Sequence, residues 1–160
     1  MSWATADVCD ARSEVQVCEP LFADYGGVLA FHGQIVTLKV FEDNALVRTA
    51  LEQAGGGRVL VVDGGASMRC ALVGGNLAAL AQRQGWSGLL VYGAIRDTAE
   101  IALLELGVKA MGSCPRRSVK GLHGGRAGET LRFAGVSFHP GAWLYADEDG
   151  VVVSTEPVDP

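Results

Sequence analysis

The chain lacks an excess of basic residues. Its 160 residues carry 13 basic and 18 acidic side chains, which gives a formal net charge of −5. Proteins that bind nucleic acid through phosphate contacts usually show a basic patch or a high isoelectric point. The composition therefore argues against direct nucleic-acid binding, while it leaves open binding to a basic protein surface.

Cysteines and long apolar runs are also scarce. The four cysteines include no CxxC pair and match no zinc-ligand spacing. The longest apolar stretches, such as residues 59–62, are far shorter than the roughly 20 residues that cross a bilayer. The first ten residues have neither the basic start nor the apolar segment of a secretory signal. We therefore expect no membrane association and a cytoplasmic location, with free and mostly buried thiols.

Glycine and apolar residues, in contrast, are abundant. Hydrophobic residues make up 49% of the chain, and there are 22 glycines, which indicates a substantial core and many tight turns. No linker, repeat or low-complexity segment interrupts the chain. Because the length is that of one domain, we expect a single domain over residues 1–160.

Strand and helix patterns alternate through the middle of the chain. Strands are predicted at residues 33–40, 58–63, 89–92 and 108–111, and helices at residues 5–10, 45–53, 77–84 and 99–106. From Leu131 onward the pattern changes to short strands broken by Gly and Pro, without helices. The sequence therefore predicts the α/β class, with a strand–helix core and an added β layer. In such folds, sites form at the carboxyl ends of the strands.

Arg96 and Asp97 stand side by side shortly after one of these predicted strands. A guanidinium offers a planar fork for a carboxylate, and a carboxylate beside it can hold a divalent cation together with waters. The pair could thus fix an α-keto acid, with Arg96 on its carboxylate and a metal at Asp97 on its keto oxygen. The alternative is an ordinary turn in which Asp97 caps the next helix. Spacing alone favours that alternative.

Gly74-Gly75-Asn76-Leu77 precedes the helix predicted from residue 77. Backbone N–H groups at a helix N-terminus attract anions, so this segment is a candidate substrate-binding site. The alternative is a simple turn in which Asn76 is the N-cap, and the segment taken alone favours it. The segment is neither a P-loop nor a GxGxxG motif.

Other polar residues give weaker signals. Asp43 and Asn44 predict helix caps, and the histidines share no metal-ligand spacing. Arg116, Arg117 and Lys120 form a small basic loop. We interpret that loop as solvated, with contact to an anion or a partner as the alternative.

Several stretches taken together resemble a known family. They include Phe41-Glu42-Asp43-Asn44, residues 59–65 (VLVVDGG) and residues 93–97 (GAIRD), and further matches spread over almost the whole chain. In this order they are similar to the RraA-like proteins, the regulator of ribonuclease activity A family. That family is related to the 4-hydroxy-4-methyl-2-oxoglutarate (HMG) aldolases, and its members were formerly taken for MenG methyltransferases.

The resemblance implies a swivelling-type β/β/α domain and a ring-shaped homotrimer. It implies a metal-dependent lyase that releases pyruvate, with a side activity as an oxaloacetate decarboxylase and Mg²⁺ or Mn²⁺ as the cofactor. In the family pattern the Arg matched by Arg96 holds the substrate carboxylate, and the Asp matched by Asp97 anchors the metal, largely through waters. The backbone of residues 74–77 matches a segment that contacts the α-keto acid substrate.

One departure from the family pattern affects the expected activity. Active aldolases of the family carry an acid in the spacing D-x20-R-D, and the residue at that position here is Gly75. In the family that acid works with a water in proton transfer. Because one positioned acid–base group contributes about 10²–10⁴-fold, the resemblance implies a weakened aldolase, with decarboxylation less affected.

The family also contains regulators without enzymatic activity, which bind and inhibit ribonuclease E. These regulators tend to lose the Asp of the pair, whereas this chain keeps Asp97. The resemblance therefore implies a lyase. As the alternative it implies a protein-binding regulator of ribonuclease E, with that enzyme or a DEAD-box helicase as the partner.

Overall fold

Helices and strands alternate along the chain in a computed structural model that describes residues 3–158. The helices are α1 (Thr5–Ala11), α2 (Ala45–Leu51), α3 (Gly75–Arg83) and α4 (Thr98–Ile101). The strands are β1 (Gln16–Val17), β2 (Ala23–Asp24), β3 (Phe31–Val40), β4 (Val59–Asp63), β5 (Ala71–Val73), β6 (Gly88–Ile95), β7 (Gly107–Ser113), β8 (Gly125–Ala127), β9 (Leu131–Phe133), β10 (Val136–Phe138), β11 (Trp143–Asp147) and β12 (Gly150–Ser154). No helix in the described part of the chain has the length and hydropathy needed to cross a membrane.

One large sheet carries most of the strands, in the order β1-β12-β11-β3-β4-β6-β7-β2, with β5 against β6 and β8 against β3. The central strands β3, β4, β6 and β7 run parallel. Strands buried on both faces have near-continuous apolar sequences, as VLVVD in β4 shows. β11 and β12 add an antiparallel edge, and β9 and β10 form a separate hairpin. This arrangement confirms the predicted α/β class with a strand–helix core and an added β layer.

The central strands separate two apolar clusters. Leu60 and Leu89 point to the face covered by α2 and α3. Val61 and Leu90 point to the opposite face, where the cluster includes Phe133 of the β9–β10 hairpin. Adjacent residues of one strand thus serve different clusters, as the two-residue period of a strand requires. The central strands are fixed from both sides, and their carboxyl ends are rigid positions for a site.

Strand β6 is longer than the sequence predicted. We expected a turn from Gly93, but the strand continues through Ile95 because Ala94 and Ile95 pair with both β5 and β7. Strand β5 itself was not predicted, since three residues are too few to show a period. The two errors are linked, because the unpredicted strand β5 is one of the two neighbours that extend β6.

Helix α4 is shorter than predicted and ends at Ile101 rather than at residue 106. The carbonyl groups of Leu104 and Leu106 instead accept hydrogen bonds from the N–H groups of Gly27 and Val28. A distant segment therefore pairs with these residues, which no local pattern reveals.

Candidate functional site

Two connections meet at the carboxyl ends of β5 and β6. β5 leads through Gly74 into α3, and β6 leads through Arg96 and Asp97 into α4. The strands are parallel neighbours, and the N–H of Arg96 donates to the carbonyl of Val73 at 2.9 Å. The structure thus brings residues 74–77 and the Arg96–Asp97 pair together.

Asp97 adopts an unusual backbone conformation. Its φ of 59° and ψ of 45° lie in the left-handed region, which costs most residues about 1–2 kcal/mol and is best tolerated by Gly, Asn and Asp. Asp97 precedes α4, but its side chain makes no capping hydrogen bond there. Its Oδ2 instead accepts the N–H of Gly75 at 2.8 Å. The alternative in which the Asp97 side chain caps α4 is therefore wrong.

Helix α3 begins at Gly75 and not at Leu77, and its N-cap is Gly74. The alternative with Asn76 as the N-cap is wrong, because Asp97 reaches the first N–H of the helix from outside. The N–H groups of Asn76 and Leu77 find no backbone acceptor within residues 3–158. Such first-turn N–H groups are available to a ligand.

Gly74 is required by the close approach of the two connections. A Cβ at this position would lie 2.8 Å from Oδ2 of Asp97 and 3.3 Å from Nε of Arg96. Any side chain here would displace the groups that the site contains. Because Gly74 has no side chain, it allows the two connections to approach closely. It is also the N-cap of α3.

The half-buried guanidinium of Arg96 is held loosely by the protein. Its Nη1 donates to the carbonyl of Pro115 at a long 3.4 Å, and it forms no ion pair in the described part of the chain. A guanidinium with free donors binds a carboxylate strongly and often through two parallel hydrogen bonds. Most of the guanidinium donors of Arg96 are thus available to an anionic ligand.

A cavity of about 370 Å³ opens beside these residues. Its wall includes the cationic residues Arg48, Arg96, Arg117 and Lys120, and the acidic residue Asp97. None of these cations pairs with an acid within residues 3–158. The local charge therefore suits a ligand with more than one negative group.

Arg117 and Lys120 are exposed, as expected for a solvated loop. Their place on the wall of the same cavity as Arg96 was not predicted. The loop reaches the cavity because the N–H of Ala71 in β5 donates to the carbonyl of Arg116 at 2.7 Å. This position is compatible with the alternative interpretation, in which the loop contacts an anion, and that contact stays a prediction.

Two buried polar atoms in the cavity wall have no hydrogen-bond partner among the described residues. They are Oδ1 of Asn44 and Oγ of Ser118. Asn44 was predicted as a helix cap, but it makes no capping bond, and its Nδ2 donates to the carbonyl of Leu72 at 3.1 Å. A buried polar atom without a partner costs about 1–3 kcal/mol. A polar ligand that forms hydrogen bonds with these two atoms would therefore be stabilised at this part of the wall.

Asp43 anchors the segment that follows Lys120. Its Oδ1 accepts the N–H of Ala45 at 3.0 Å, as predicted for a cap, and its Oδ2 accepts the N–H groups of His123 and Gly124 at 2.9 and 3.2 Å. Burial acts to raise the pKa of Asp43. The backbone N–H groups outweigh it and hold that pKa well below its usual range. The charged carboxylate thus fixes the loop beside the cavity.

Side chains that bind metals are sparse in the described structure. No three His, Cys, Asp or Glu residues converge within residues 3–158. The four cysteines are free, as expected, with Cys18 and Cys70 buried. Burial raises the pKa of Cys18 to about 12, so this thiol is protonated and unreactive. Asp97 is thus the acidic side chain that the cavity offers to a cation.

Comparison with known proteins identifies the family. The model of the RraA-like family (Aldolase/RraA) matches residues 5–153. The chain belongs to the RraA-like family. Relatives of this RraA-like chain in Alkalilimnicola ehrlichii and Aromatoleum aromaticum are 56% and 57% identical over 156 and 155 residues. The matches cover 96% of this chain in both cases, and 96% and 97% of the relatives. Both relatives are provisionally named 4-hydroxy-4-methyl-2-oxoglutarate aldolase.

Solved structures of other proteins share the fold. A Geobacillus kaustophilus protein described as an S-adenosylmethionine:2-dimethylmenaquinone methyltransferase has a TM-score of 0.95 and 49% identity, over 98% of this chain and 97% of that one. The RNA-processing inhibitor RraA from Thermus thermophilus has a TM-score of 0.96 and 44% identity, over 99% and 96%. These matches confirm the predicted family and fold. Because proteins of one fold carry such different names, function has to be argued from the cavity.

Proposed function

We propose that this chain is a divalent-metal-dependent lyase of the HMG aldolase and oxaloacetate decarboxylase type, which releases pyruvate from a dicarboxylate. The observation that carries the proposal is the adjacency of Arg96 and Asp97 on the wall of a cationic cavity. The names of the relatives at 56% and 57% identity support it.

Arg96 binds the carboxylate next to the keto group of the substrate. Its free donors match the paired oxygens of a carboxylate. The N–H groups of Asn76 and Leu77, at the positive end of the α3 dipole, donate hydrogen bonds to the same carboxylate. Gly75 belongs to the predicted binding segment, but its N–H already holds Asp97. Gly75 thus orients the carboxylate of Asp97 and leaves substrate contact to the next two residues.

The other cations of the wall bind the second carboxylate of the substrate. HMG and oxaloacetate both carry a carboxylate at each end. Arg48, Arg117 and Lys120 offer positive charge beyond the single guanidinium that a monocarboxylate requires. The charge of the cavity therefore favours a dicarboxylate over pyruvate itself.

Asp97 fits a divalent cation. Its Oδ2 is fixed by Gly75, while its Oδ1 has no hydrogen-bond partner within residues 3–158. Mg²⁺ in proteins is commonly held by one or two carboxylates with waters in the remaining positions, and Mn²⁺ prefers the same oxygen ligands. When bound, the cation polarises the keto oxygen and stabilises the negative charge that develops on it.

An assay of pyruvate release tests this function. HMG and oxaloacetate are supplied separately, with Mg²⁺, with Mn²⁺ and with excess EDTA. We expect turnover of both substrates with either metal, loss of turnover in EDTA, and recovery when metal is restored. Absence of turnover with every combination, or turnover that EDTA leaves unchanged, would reject the proposal.

Arg96→Lys is expected to raise KM for oxaloacetate about 10- to 100-fold. Lysine keeps the charge but loses the planar fork, and a hydrogen bond to a charged group contributes about 1.5–3 kcal/mol. Steady-state kinetics measure the change. Arg83→Lys, at an exposed position in the last turn of α3, is the matched control and should keep the wild-type KM. Equal KM values in both variants would remove Arg96 from the binding site.

Arg117→Gln is expected to weaken binding of the dicarboxylate selectively. Because Arg117 is exposed, we expect a rise of only about tenfold in KM for oxaloacetate. The inhibition constant of pyruvate, which lacks the second carboxylate, should stay within about twofold of wild type. Competitive inhibition kinetics separate the two effects. An equal loss for both ligands would show that Arg117 does not recognise the second carboxylate.

One comparison favours a second function, inhibition of a ribonuclease. The fold of the Thermus RNA-processing inhibitor matches this chain at a TM-score of 0.96, and the net charge of −5 suits a basic partner segment. Pull-down with segments of ribonuclease E and with DEAD-box helicases, in low salt, tests it. Failure to bind any of them counts against this function. The homotrimer implied by the resemblance stays a prediction.

A further inference from the structure

A carboxylate from α4 covers Gly75. A Cβ built on Gly75 would collide with Oε2 of Glu100, and would lie 3.2 Å from its Cδ and 3.4 Å from Cβ of Asp97. Glu100 therefore occupies the space into which a side chain at position 75 would extend. Asp97 directly precedes α4, and Glu100 lies in the first turn of that helix.

The Glu100 carboxylate has no partner side chain in the described part of the chain. It forms no ion pair within residues 3–158, and its place in the first turn of α4 sets it near the positive end of that helix. Glu100 is an exposed residue. Its carboxylate nevertheless lies against Gly75, the first residue of α3.

Cleavage of HMG requires a group that moves a proton. The C4 hydroxyl loses its proton as the C3–C4 bond breaks, and the electron pair of that bond passes to the enolate of pyruvate. A proton must then be added to C3 to form the methyl group of pyruvate. Arg96 has no acceptor atom with which to take up a proton, and Asp97 accepts the N–H of Gly75 and is proposed to hold the cation. Besides Asp97, Glu100 is the acidic residue that lies within 4 Å of a Cβ built on Gly75.

We propose that Glu100 is the acid–base residue of this lyase. It takes the proton of the C4 hydroxyl, directly or through one water, and returns a proton to C3. This inference rests on the proposed function. It also gives a physical reason for the glycine at position 75, because a side chain there would displace the Glu100 carboxylate from its present position. The two positions are thus alternative sources of one carboxylate.

Glu100→Gln tests the role without changing the shape of the side chain. We expect kcat for HMG to fall about 10²–10⁴-fold, while the inhibition constant of pyruvate changes by no more than about twofold. The exchange of pyruvate methyl protons with D₂O, followed by NMR, should fall in parallel, since it needs the same proton transfer. Glu105→Gln, at an exposed position on the same connection, should keep wild-type values in all three measurements.

A swap of the acid tests the shared space. Glu100→Ala should lose activity as Glu100→Gln does, and the double variant Gly75→Asp/Glu100→Ala should regain at least about tenfold of it. Circular dichroism melting verifies that each variant is folded. A merely structural role for Glu100 predicts no rescue by an acid placed on another helix.

The outcomes separate this inference from the function on which it rests. If the wild-type chain releases no pyruvate with any metal, the proposed function fails and the role of Glu100 fails with it. If the wild type is active and Glu100→Gln matches it, the function stands and the role of Glu100 is overturned. Loss of activity in Glu100→Gln without rescue in the folded double variant also overturns it.

Discussion

Asp97→Asn is expected to lower kcat/KM for HMG and for oxaloacetate by about 10³-fold or more. Asparagine keeps the size of the side chain, and its oxygen can still accept the N–H of Gly75, so the connection between β6 and α4 should stay intact. The variant loses the negative charge that holds the cation. Polarisation by a metal contributes several kcal/mol to such a step, and each 1.36 kcal/mol is tenfold in rate. Steady-state kinetics at increasing Mg²⁺ measure the loss.

Binding of Mn²⁺, followed by electron paramagnetic resonance, separates two explanations of such a loss. We expect weaker Mn²⁺ binding by Asp97→Asn and unchanged binding by the control Asp149→Asn, which changes an exposed acid in the turn between β11 and β12. An Asp97→Asn variant that binds Mn²⁺ and turns over like the wild type would show that the metal lies elsewhere.

Asp24→Ala is expected to lower the free energy of unfolding by about 3 kcal/mol. Lys109 is 3% exposed, and its Nζ lies 3.0 Å from Oδ1 of Asp24. Removal of one partner of a buried ion pair leaves an uncompensated charge, which costs about 3–5 kcal/mol. Asp24 is 24% exposed, so we expect the lower end of this range. Urea unfolding measures the change.

The double variant Asp24→Ala/Lys109→Met provides the control. It removes the charge as well as its partner, and an apolar side chain of similar length fills the space of the lysine. Such replacements of buried ion pairs are often neutral or stabilising, so most of the lost stability should return. A loss below about 1 kcal/mol in Asp24→Ala, or no recovery in the double variant, would contradict the account of this pair.

The parts of the fold that the sequence predicted are those with a local cause. Apolar runs such as VLVVD at residues 59–63 predict buried strands because both faces of each strand are covered. The elements that were missed or misjudged depend on distant partners. β6 extends because β5 and β7 pair with its last residues. The residues after α4 do not continue the helix, and the carbonyl groups of Leu104 and Leu106 accept the N–H groups of Gly27 and Val28. These contacts join segments far apart in the chain.

The same distinction between local and distant causes applies to the residues of the candidate site. Arg96 and Asp97 are neighbours in the sequence, so their combined chemistry is visible without a structure. The capping interpretation of Asp97 was wrong because its hydrogen-bond partner, Gly75, lies 22 residues away. The place of Arg48 on the cavity wall and that of Glu100 against Gly75 were not predicted, since each depends on packing between separate elements. The one available signal for Glu100 was an acid three residues after Asp97, in a chain that has glycine at position 75.

A crystal structure with Mn²⁺ and pyruvate tests the central claim most directly. Anomalous scattering locates the metal, and difference density locates the ligand. The account predicts Mn²⁺ beside the carboxylate of Asp97, with the pyruvate carboxylate on Arg96 and on the N–H groups of Asn76 and Leu77. Mn²⁺ bound away from Asp97, or pyruvate bound outside this cavity, would contradict it.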